Sequence, residues 1–269
     1  MQTNLEKSQT KKYLLLSILG TGFIILIANF AGQEVTNLTT NLLYVPVPGA
    51  LVVLSIMIAA RFSVKGEHGR AWIFFVGVAV SWFIAEQIWL VDDLVYHIDP
   101  FPSLADFFYL AGYPFLFLFS IYYLKPLKGA ISKKTLTYVS LVAITLLIPS
   151  LYMAFDQNSQ ISDFELALAL SYPIADAIVL IPALIGVILF FRGEVNFLWS
   201  LICVAIILNV MADTGFLITS MNGSYYMGHP IDMLFLWAYI LFSFGVYSHI
   251  QIFKKHRPKI KSQNLNDLR

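Results

Sequence analysis

The stretch from Pro102 to Pro114, PSLADFFYLAGYP, places a carboxylate at the head of an aromatic and aliphatic run. Ser103 and Asp106 have the spacing of a capping box, a hydroxyl at the cap and an acid three residues on, so a helix is expected to start at Leu104. No charge then follows until Lys125, which leaves that helix apolar over enough length to cross a hydrocarbon core about 30 Å thick.

The rest of the chain repeats this pattern. Of its 269 residues, 58% are hydrophobic and 12% charged, and the mean hydropathy is +0.74. Soluble domains are about half apolar and a quarter charged. Eight segments have the length and apolarity of membrane spans: roughly 13–31, 45–61, 71–95, 104–124, 135–155, 166–191, 197–220 and 231–252. Their apolarity does not alternate as barrel strands require, and helices satisfy their own backbone groups in lipid. The expected fold is an all-α polytopic membrane protein of eight transmembrane helices in the cell membrane.

Lys and Arg favour the cytoplasmic side of a membrane. All seventeen here fall on one side of the eight-helix arrangement: Lys7, Lys11 and Lys12; Arg61, Lys65 and Arg70; Lys125, Lys128, Lys133 and Lys134; Arg192; and Lys254, Lys255, Arg257, Lys259, Lys261 and Arg269. The other side carries Glu34, Asp92, Asp93, Asp99, Asp156, Asp163 and Glu165 and no basic residue. Both termini are therefore expected to be cytoplasmic. A basic face of this kind suits anionic headgroups of the lipid bilayer and gives no reason to invoke nucleic acid. The first apolar segment ends in ILIANFAGQ, a poor cleavage site, and is read as a retained span. The single cysteine, Cys203, offers neither a disulfide framework nor a metal cluster and reads as a packing residue.

A shift of 127 positions lays the chain over itself. VPVPGALVV (45–53) falls on YPIADAIVL (172–180), KGEHGRAW (65–72) on RGEVNFLW (192–199), and IAEQIW (84–89) on MADTGF (211–216), so Glu86 meets Asp213. One residue is then lost, after which Asp106 meets Asp232. The chain accordingly reads as a cytoplasmic N-terminus (1–12), a first four-helix repeat (13–126), a second (127–253) and a basic cytoplasmic tail (254–269). An even number of helices per repeat makes the two halves run parallel about an axis near the membrane normal. Gly66-Glu67 and Gly193-Glu194 recur in inner loops, where turn and helix-start chemistry explains them.

Ionisable groups within spans are costly unless they face protein or water, so each is a candidate site. Five qualify: Glu86, Asp106, Asp176, Asp213 and Asp232. Glu86 lies roughly 24 Å along its helix from Arg70, in the outer half, and all five gather toward the outer leaflet. Asp106, Asp232 and Asp176 follow Ser103, Pro230 and Pro173 closely enough to read as first-turn acids of helices. Glu86 and Asp213 have no such explanation. With no Lys or Arg nearby, they are expected to hydrogen bond to each other or to Tyr, His and Asn, or to hold a cation.

Trp82, Trp89, Tyr96, Phe107, Phe108, Tyr109, Tyr113, Tyr225, Tyr226, Trp237 and Tyr239 crowd the same half, most of them expected to form an interfacial belt and a minority a pocket wall. His97 and His229 join from outer loops. No His-x-x-His or Glu-x-x-His pair points to a metal, and no nucleotide loop, serine-hydrolase signature or haem-attachment motif points to a cofactor or a standard active site.

Ala85-Glu86, Pro102-Ser103-Leu104-Ala105-Asp106, Tyr109-Leu110 and Tyr113-Pro114 together resemble the multi-span sensory-type membrane domain N-terminal to many bacterial diguanylate cyclases and histidine kinases, over roughly residues 12–252. The resemblance implies a membrane input domain whose ligand is generally undefined; the partners expected here are a small-molecule or lipid ligand and the bilayer. After Phe253 only a short polar, basic stretch follows, so signalling is expected to pass to a separate cytoplasmic partner. A weaker similarity is to the lysoplasmalogenase family, carried by GVAVSWFIAEQIWL and ILNVMADTGFLI, which hold Glu86 and Asp213.

Three functions fit these residues. The first is a sensor or ligand-binding protein whose outward cavity has Glu86 and Asp213 at its floor, with Asp106, Asp232, Asp176, Tyr109 and Trp89 around them. The second is an intramembrane lipid hydrolase in which one of Glu86 and Asp213 donates a proton and the other activates water. The third is a cation- or proton-coupled transporter, against which stands the expectation that no ionisable residue continues a path through the inner half.

Overall fold

The computed structural model describes residues 4–62, 66–98, 101–156, 162–193 and 197–254, and every regular element among them is helical. In chain order these are α1 (Asn4–Ala31), α2 (Gln33–Leu43), α3 (Pro46–Phe62), α4 (Glu67–Val91), α5 (Leu104–Leu124), α6 (Lys133–Asp156), α7 (Asp163–Phe191), α8 (Phe197–Met221) and α9 (Pro230–Lys254). A π-helical turn, Asp92–Tyr96, prolongs α4, and a 3-10 turn, Lys125–Ala130, prolongs α5. They form eight spans long and apolar enough to cross a membrane, α2 and α3 together making one. The chain is a multi-pass, all-α membrane protein. Lys65, Asp99, Glu194 and the tail from Lys255 onward lie outside the described residues.

The segment between the first two expected spans is itself helical, as α2. Val35, Leu38 and Leu42 share one face of α2 by their helical spacing and are exposed, while Thr36, Thr40 and Asn41 on the other face are buried. A helix whose polar side meets protein and whose apolar side points away is suited to a lipid boundary. Gly32, at φ 107°, turns the chain between α1 and α2, and Pro46 begins α3, where its missing N–H would be unpaired in any case.

The reading of Asp176 as a first-turn acid is corrected. The sixth span starts earlier than expected, at a capping box in which Ser162 N donates to Glu165 Oε2 at 2.7 Å and Glu165 N to Ser162 Oγ at 3.3 Å. From there α7 runs unbroken through Pro173 and Pro182, so Asp176 is mid-helix. Neighbouring helices keep a proline inside a membrane helix tolerable.

Six helices close a ring in which each packs on the next: α3, α4, α5, α7, α8, α9 and back to α3. Exchanging α3, α4 and α5 with α7, α8 and α9 leaves these pairings unchanged. The outer two helices differ, α1 lying against α9 and α2 while α6 lies against α7 and α8. Both are sparsely buried, at 11% and 17% of their apolar windows against 61% for α9. Small residues let the ring helices approach closely: a Cβ at Gly112 would fall inside the Trp82 indole, and one at Gly186 would meet Cys203, a buried free thiol.

Side-chain contacts identify the two ends of the ring. At one, Lys125 pairs with Glu67, Arg61 Nη1 donates to Ile250 O at 2.8 Å, and Arg192 Nη2 donates to Thr135 Oγ1 at 3.3 Å. Gly66 (φ 89°) and Gly193 (φ 77°) make left-handed turns at this basic end. Next to it sits an apolar plug of fully buried Trp72, Phe75, Phe119 and Phe242, with Phe75 and Phe119 centroids 4.7 Å apart. The opposite half is open.

Candidate ligand cavity

The open half holds a cavity of about 1170 Å³. Glu86, Asp106, Asp213, Asp232, Tyr109 and Trp89 all line it. Asp176 does not; it lies behind Tyr113, which is on the wall. Glu34, Asp93 and Glu165 add further carboxylates near the mouth, and no Lys or Arg is among the lining residues.

Helical periodicity builds the wall. On α4 and the π-helical turn that prolongs it, Trp82, Glu86, Trp89 and Asp93 repeat at about one-turn intervals and so face the cavity together. On α8, Asn209, Asp213, Phe216 and Ser220 do the same. PSLADFFYLAGYP supplies the α5 side. Ser103 N donates to Asp106 Oδ2 at 2.8 Å and Ala105 N to Ser103 Oγ at 3.1 Å, completing the expected capping box. Gly112 admits Trp82, whose Nε1 donates to Tyr109 O at 3.1 Å. Tyr109 and Tyr113 carry the hydroxyls.

Each deep acid has a tyrosine hydroxyl within hydrogen-bond distance. Tyr239 on α9 donates to Glu86 Oε1 on α4 at 2.7 Å, and the Tyr109 hydroxyl also reaches Glu86. Tyr113 on α5 lies 2.8 Å from Asp213 Oδ2 on α8 and 2.8 Å from Asp176 Oδ1 on α7. Tyr172 donates to Asp106 Oδ1 at 2.6 Å and Tyr225 to Asp232 Oδ1 at 3.1 Å. Burial and the neighbouring Asp232 push the Tyr225 phenol well above its usual value, which keeps it a donor. Asp213 also receives Asn209 Nδ2 at 2.7 Å, and Asp93 receives Asn41 Nδ2 at 2.6 Å. Such bonds are what make a buried carboxyl tolerable.

Of the partners expected for Glu86 and Asp213, each other or Tyr, His and Asn, the structure supplies Tyr and Asn, and the two acids do not bond to each other. Glu86 and Asp213 face one cavity but answer to different tyrosines, and the carboxyl in contact with Asp213 is Asp176. One tyrosine hydroxyl has one hydrogen, so Tyr113 donates to one of these two carboxyls at a time; the other contact closes when that carboxyl brings its own proton.

Asp232 caps the loop before its helix, accepting from Gly228 N at 2.6 Å. Gly228, at φ 91°, has no room for a Cβ against Thr36 of α2. His97 lines the cavity; His229 does not, and its Nδ1 accepts from Ile231 N at 3.2 Å. Among the described residues no three His, Cys, Asp or Glu side chains converge to hold a metal ion.

The belt reading of the aromatics is corrected for most of them. Trp82, Trp89, Tyr109, Tyr113, Tyr225, Tyr226 and Tyr239 line the cavity, whereas Tyr96 and Phe107 are exposed and Trp237 packs on Gly22, donating to Ile18 O at 3.0 Å. Trp82, Tyr113, Tyr225, Tyr226 and Tyr239 have polar partners inside the bundle, which a belt at the headgroups would not supply. Tyr44 and Tyr172 were missed. Tyr44 stands two residues before Pro46 at the start of α3 and Tyr172 beside Pro173 within α7, and their hydroxyls reach Asp232 O (3.3 Å) and Asp106.

The expectation of an inner half without ionisable residues is also corrected. His249 is buried on α9 near the basic end, with Nε2 2.7 Å from Tyr123 Oη and Nδ1 2.8 Å from Gly245 O. The plug separates this pair from the cavity: neither Phe75, Phe119 nor Phe242 lines it. Compared with protein-family models, curated proteins and solved structures, the chain matches none.

Proposed function

We propose that this protein is a membrane sensor or ligand-binding protein that takes a small-molecule or lipid ligand into the tyrosine–carboxyl cavity and passes the signal to a separate cytoplasmic partner. The observation that carries this reading is the cavity itself: about 1170 Å³, open at one end, closed at the other by buried aromatic rings, with directed polar groups on an aromatic wall. The one-sided distribution of Lys and Arg supports both termini being cytoplasmic, with the mouth facing the outer surface of the cell membrane.

Two four-helix repeats account for the way the cavity is tied together. Under the sequence overlay Glu86 corresponds to Asp213 and Tyr239 to Tyr113, and each tyrosine reaches the acid of the other half. Tyr123 and His249 are likewise equivalent positions, and they meet each other. A ligand touching both acids binds both halves, so any difference in its affinity between two arrangements of the halves shifts their populations.

The experiment is thermal denaturation of the purified protein across a small-molecule and lipid panel, with the Glu86→Gln/Asp213→Asn double variant beside it. Ligand-induced stabilisation that disappears in the folded double variant is expected. Stabilisation of equal size in the double variant, or none from any compound, overturns the reading.

A lipid hydrolase is the second reading, favoured by the contact of Asp176, Tyr113 and Asp213, which sets two carboxyls around one hydroxyl. There Asp176, rather than Glu86, is the acid partner of Asp213. Turnover of an ether- or ester-linked lipid, lost in Asp213→Asn, would establish it. For transport, the plug leaves no continuous polar path in this conformation, and liposome flux is the deciding measurement.

A further inference from the structure

We propose that the ligand of this cavity is an organic ammonium ion carrying an apolar or aromatic body, with its nitrogen at Glu86 between the indoles of Trp82 and Trp89. The proposal rests on the binding reading above and narrows it to a chemical class.

Three observations lead there. First, the α4 stripe sets Glu86 one turn from an indole on either side, all three facing the cavity. A carboxylate with an aromatic ring one turn to either side suits alkylated nitrogen, because the ring quadrupole and the carboxylate both attract a cation that carries its own apolar substituents. Second, the aromatic wall continues outward from that point. The Trp89 ring lies 6.4 Å from Tyr109 and 5.7 Å from Phe216, and Phe216 lies 4.7 Å from Tyr225, with every pair edge to face. This is a surface for an apolar body several rings long. Third, the described lining holds seven carboxyls and no Lys or Arg, with His97 as its one imidazole, so a cation meets far more counter-charge on the wall than an anion does.

The alternatives fit less well. A bare metal ion is served best by several converging charged or imidazole donors, and no three His, Cys, Asp or Glu side chains converge among the described residues; it would also leave most of a cavity of about 1170 Å³ empty. A polyhydroxylated neutral ligand would place hydroxyls against the apolar edges of Trp89 and Phe216. An ammonium group with an apolar body uses both sides of the wall. The same chemistry occurs in free amines and in the headgroup of phosphatidylethanolamine.

The test reconstitutes the full chain in nanodiscs of phosphatidylglycerol, which contain no amine. It compares 2-phenylethylamine with 2-phenylethanol, nearly equal in shape and different in charge, by thermal shift and tryptophan fluorescence. A second arm uses nanodiscs containing phosphatidylethanolamine. The amine is expected to bind at least tenfold more tightly than the alcohol, and Glu86→Gln to remove that preference. Where Glu86→Gln fails to fold, Trp89→Leu, at the cavity wall, is expected to weaken the amine at least fivefold and the alcohol less. If the lipid headgroup is the occupant, phosphatidylethanolamine discs raise the melting temperature and suppress the response to 2-phenylethylamine. Equal binding of alcohol and amine, retention of the preference in a folded Glu86→Gln protein, or no response to either ammonium source overturns the assignment. Equal binding leaves the ligand-binding reading standing; silence across the wider panel removes both.

Discussion

The Tyr239 hydroxyl on α9 donates to Glu86 Oε1 on α4 at 2.7 Å. Its counterpart, Tyr113 on α5, serves two carboxyls at 2.8 Å each. Removing a hydroxyl strands a buried acid, at a cost of about 1–3 kcal/mol for each group left unsatisfied. Tyr113→Phe is therefore expected to lower stability more than Tyr239→Phe in denaturant titrations of purified protein. Equal or reversed losses would mean that water replaces the hydroxyl at the Asp176–Asp213 site.

Gly112 is defined by the indole packed on it. Gly112→Ala drives a methyl into Trp82 and breaks the Nε1 bond to Tyr109 O, so a loss of about 1–3 kcal/mol is expected together with a changed tryptophan spectrum. Gly20→Ala is the control: nothing lies within 4 Å of its Cβ, and a gain of about 0.5–1 kcal/mol is expected from helix propensity. A silent Gly112→Ala would refute the packing.

Lys125 and Glu67 form an ion pair whose side chains are 52% and 41% exposed. Solvent and side-chain entropy cancel most of such an attraction, leaving about 0–1 kcal/mol. Lys125→Ala should therefore matter far less than Tyr113→Phe, which acts in the buried half. A melting-temperature drop for Lys125→Ala as large as that for Tyr113→Phe would reverse this ranking of the two ends.

His229, outside the spans, is held below its ordinary value of 6.5 by burial, and the bond from Ile231 N to its Nδ1 suits the neutral ring. A depressed value in the fold means that the unfolded chain takes up the proton first. The contribution is complete above pH 6.5 and is lost as pH falls through the lower folded value. His229→Gln should flatten the acid side of the stability profile between about pH 7 and pH 5, judged from the ordinary imidazole range. An unchanged profile would place the titration elsewhere.

Cys203 is buried, so the native chain should resist membrane-impermeant thiol reagents, and introduced cysteines can report sidedness. Asp163→Cys is expected to label in intact cells and Lys128→Cys only after permeabilisation. The opposite pattern would invert the proposed orientation.

Much of the fold was legible because membrane spans announce themselves by length and apolarity, and because a helix in lipid needs no partner to satisfy its backbone. The capping box at Ser103 and Asp106 was legible for the same local reason. What the residues hid was non-local. Asp176 looked like a helix-start acid because Pro173 precedes it, whereas the helix had already begun at Asp163. The rings looked like a belt because a tyrosine facing lipid headgroups and one facing a carboxyl have the same sequence neighbourhood. His249 was overlooked in a span that is otherwise apolar, and only its Tyr123 partner explains it.

The sequence by itself determined that this is an eight-span helical protein with its Lys and Arg on one side of the spans and its five in-span acids gathered toward the other, because each of those features depends on composition and spacing along one segment. Only the tertiary structure decided which hydroxyl meets which carboxyl, that Glu86 and Asp213 answer to tyrosines of different helices, and that Asp176 stands behind Tyr113 off the cavity wall. Those choices depend on which helices are neighbours in the ring, and each span, alike in its apolarity, carries almost no local record of the neighbour it packs against.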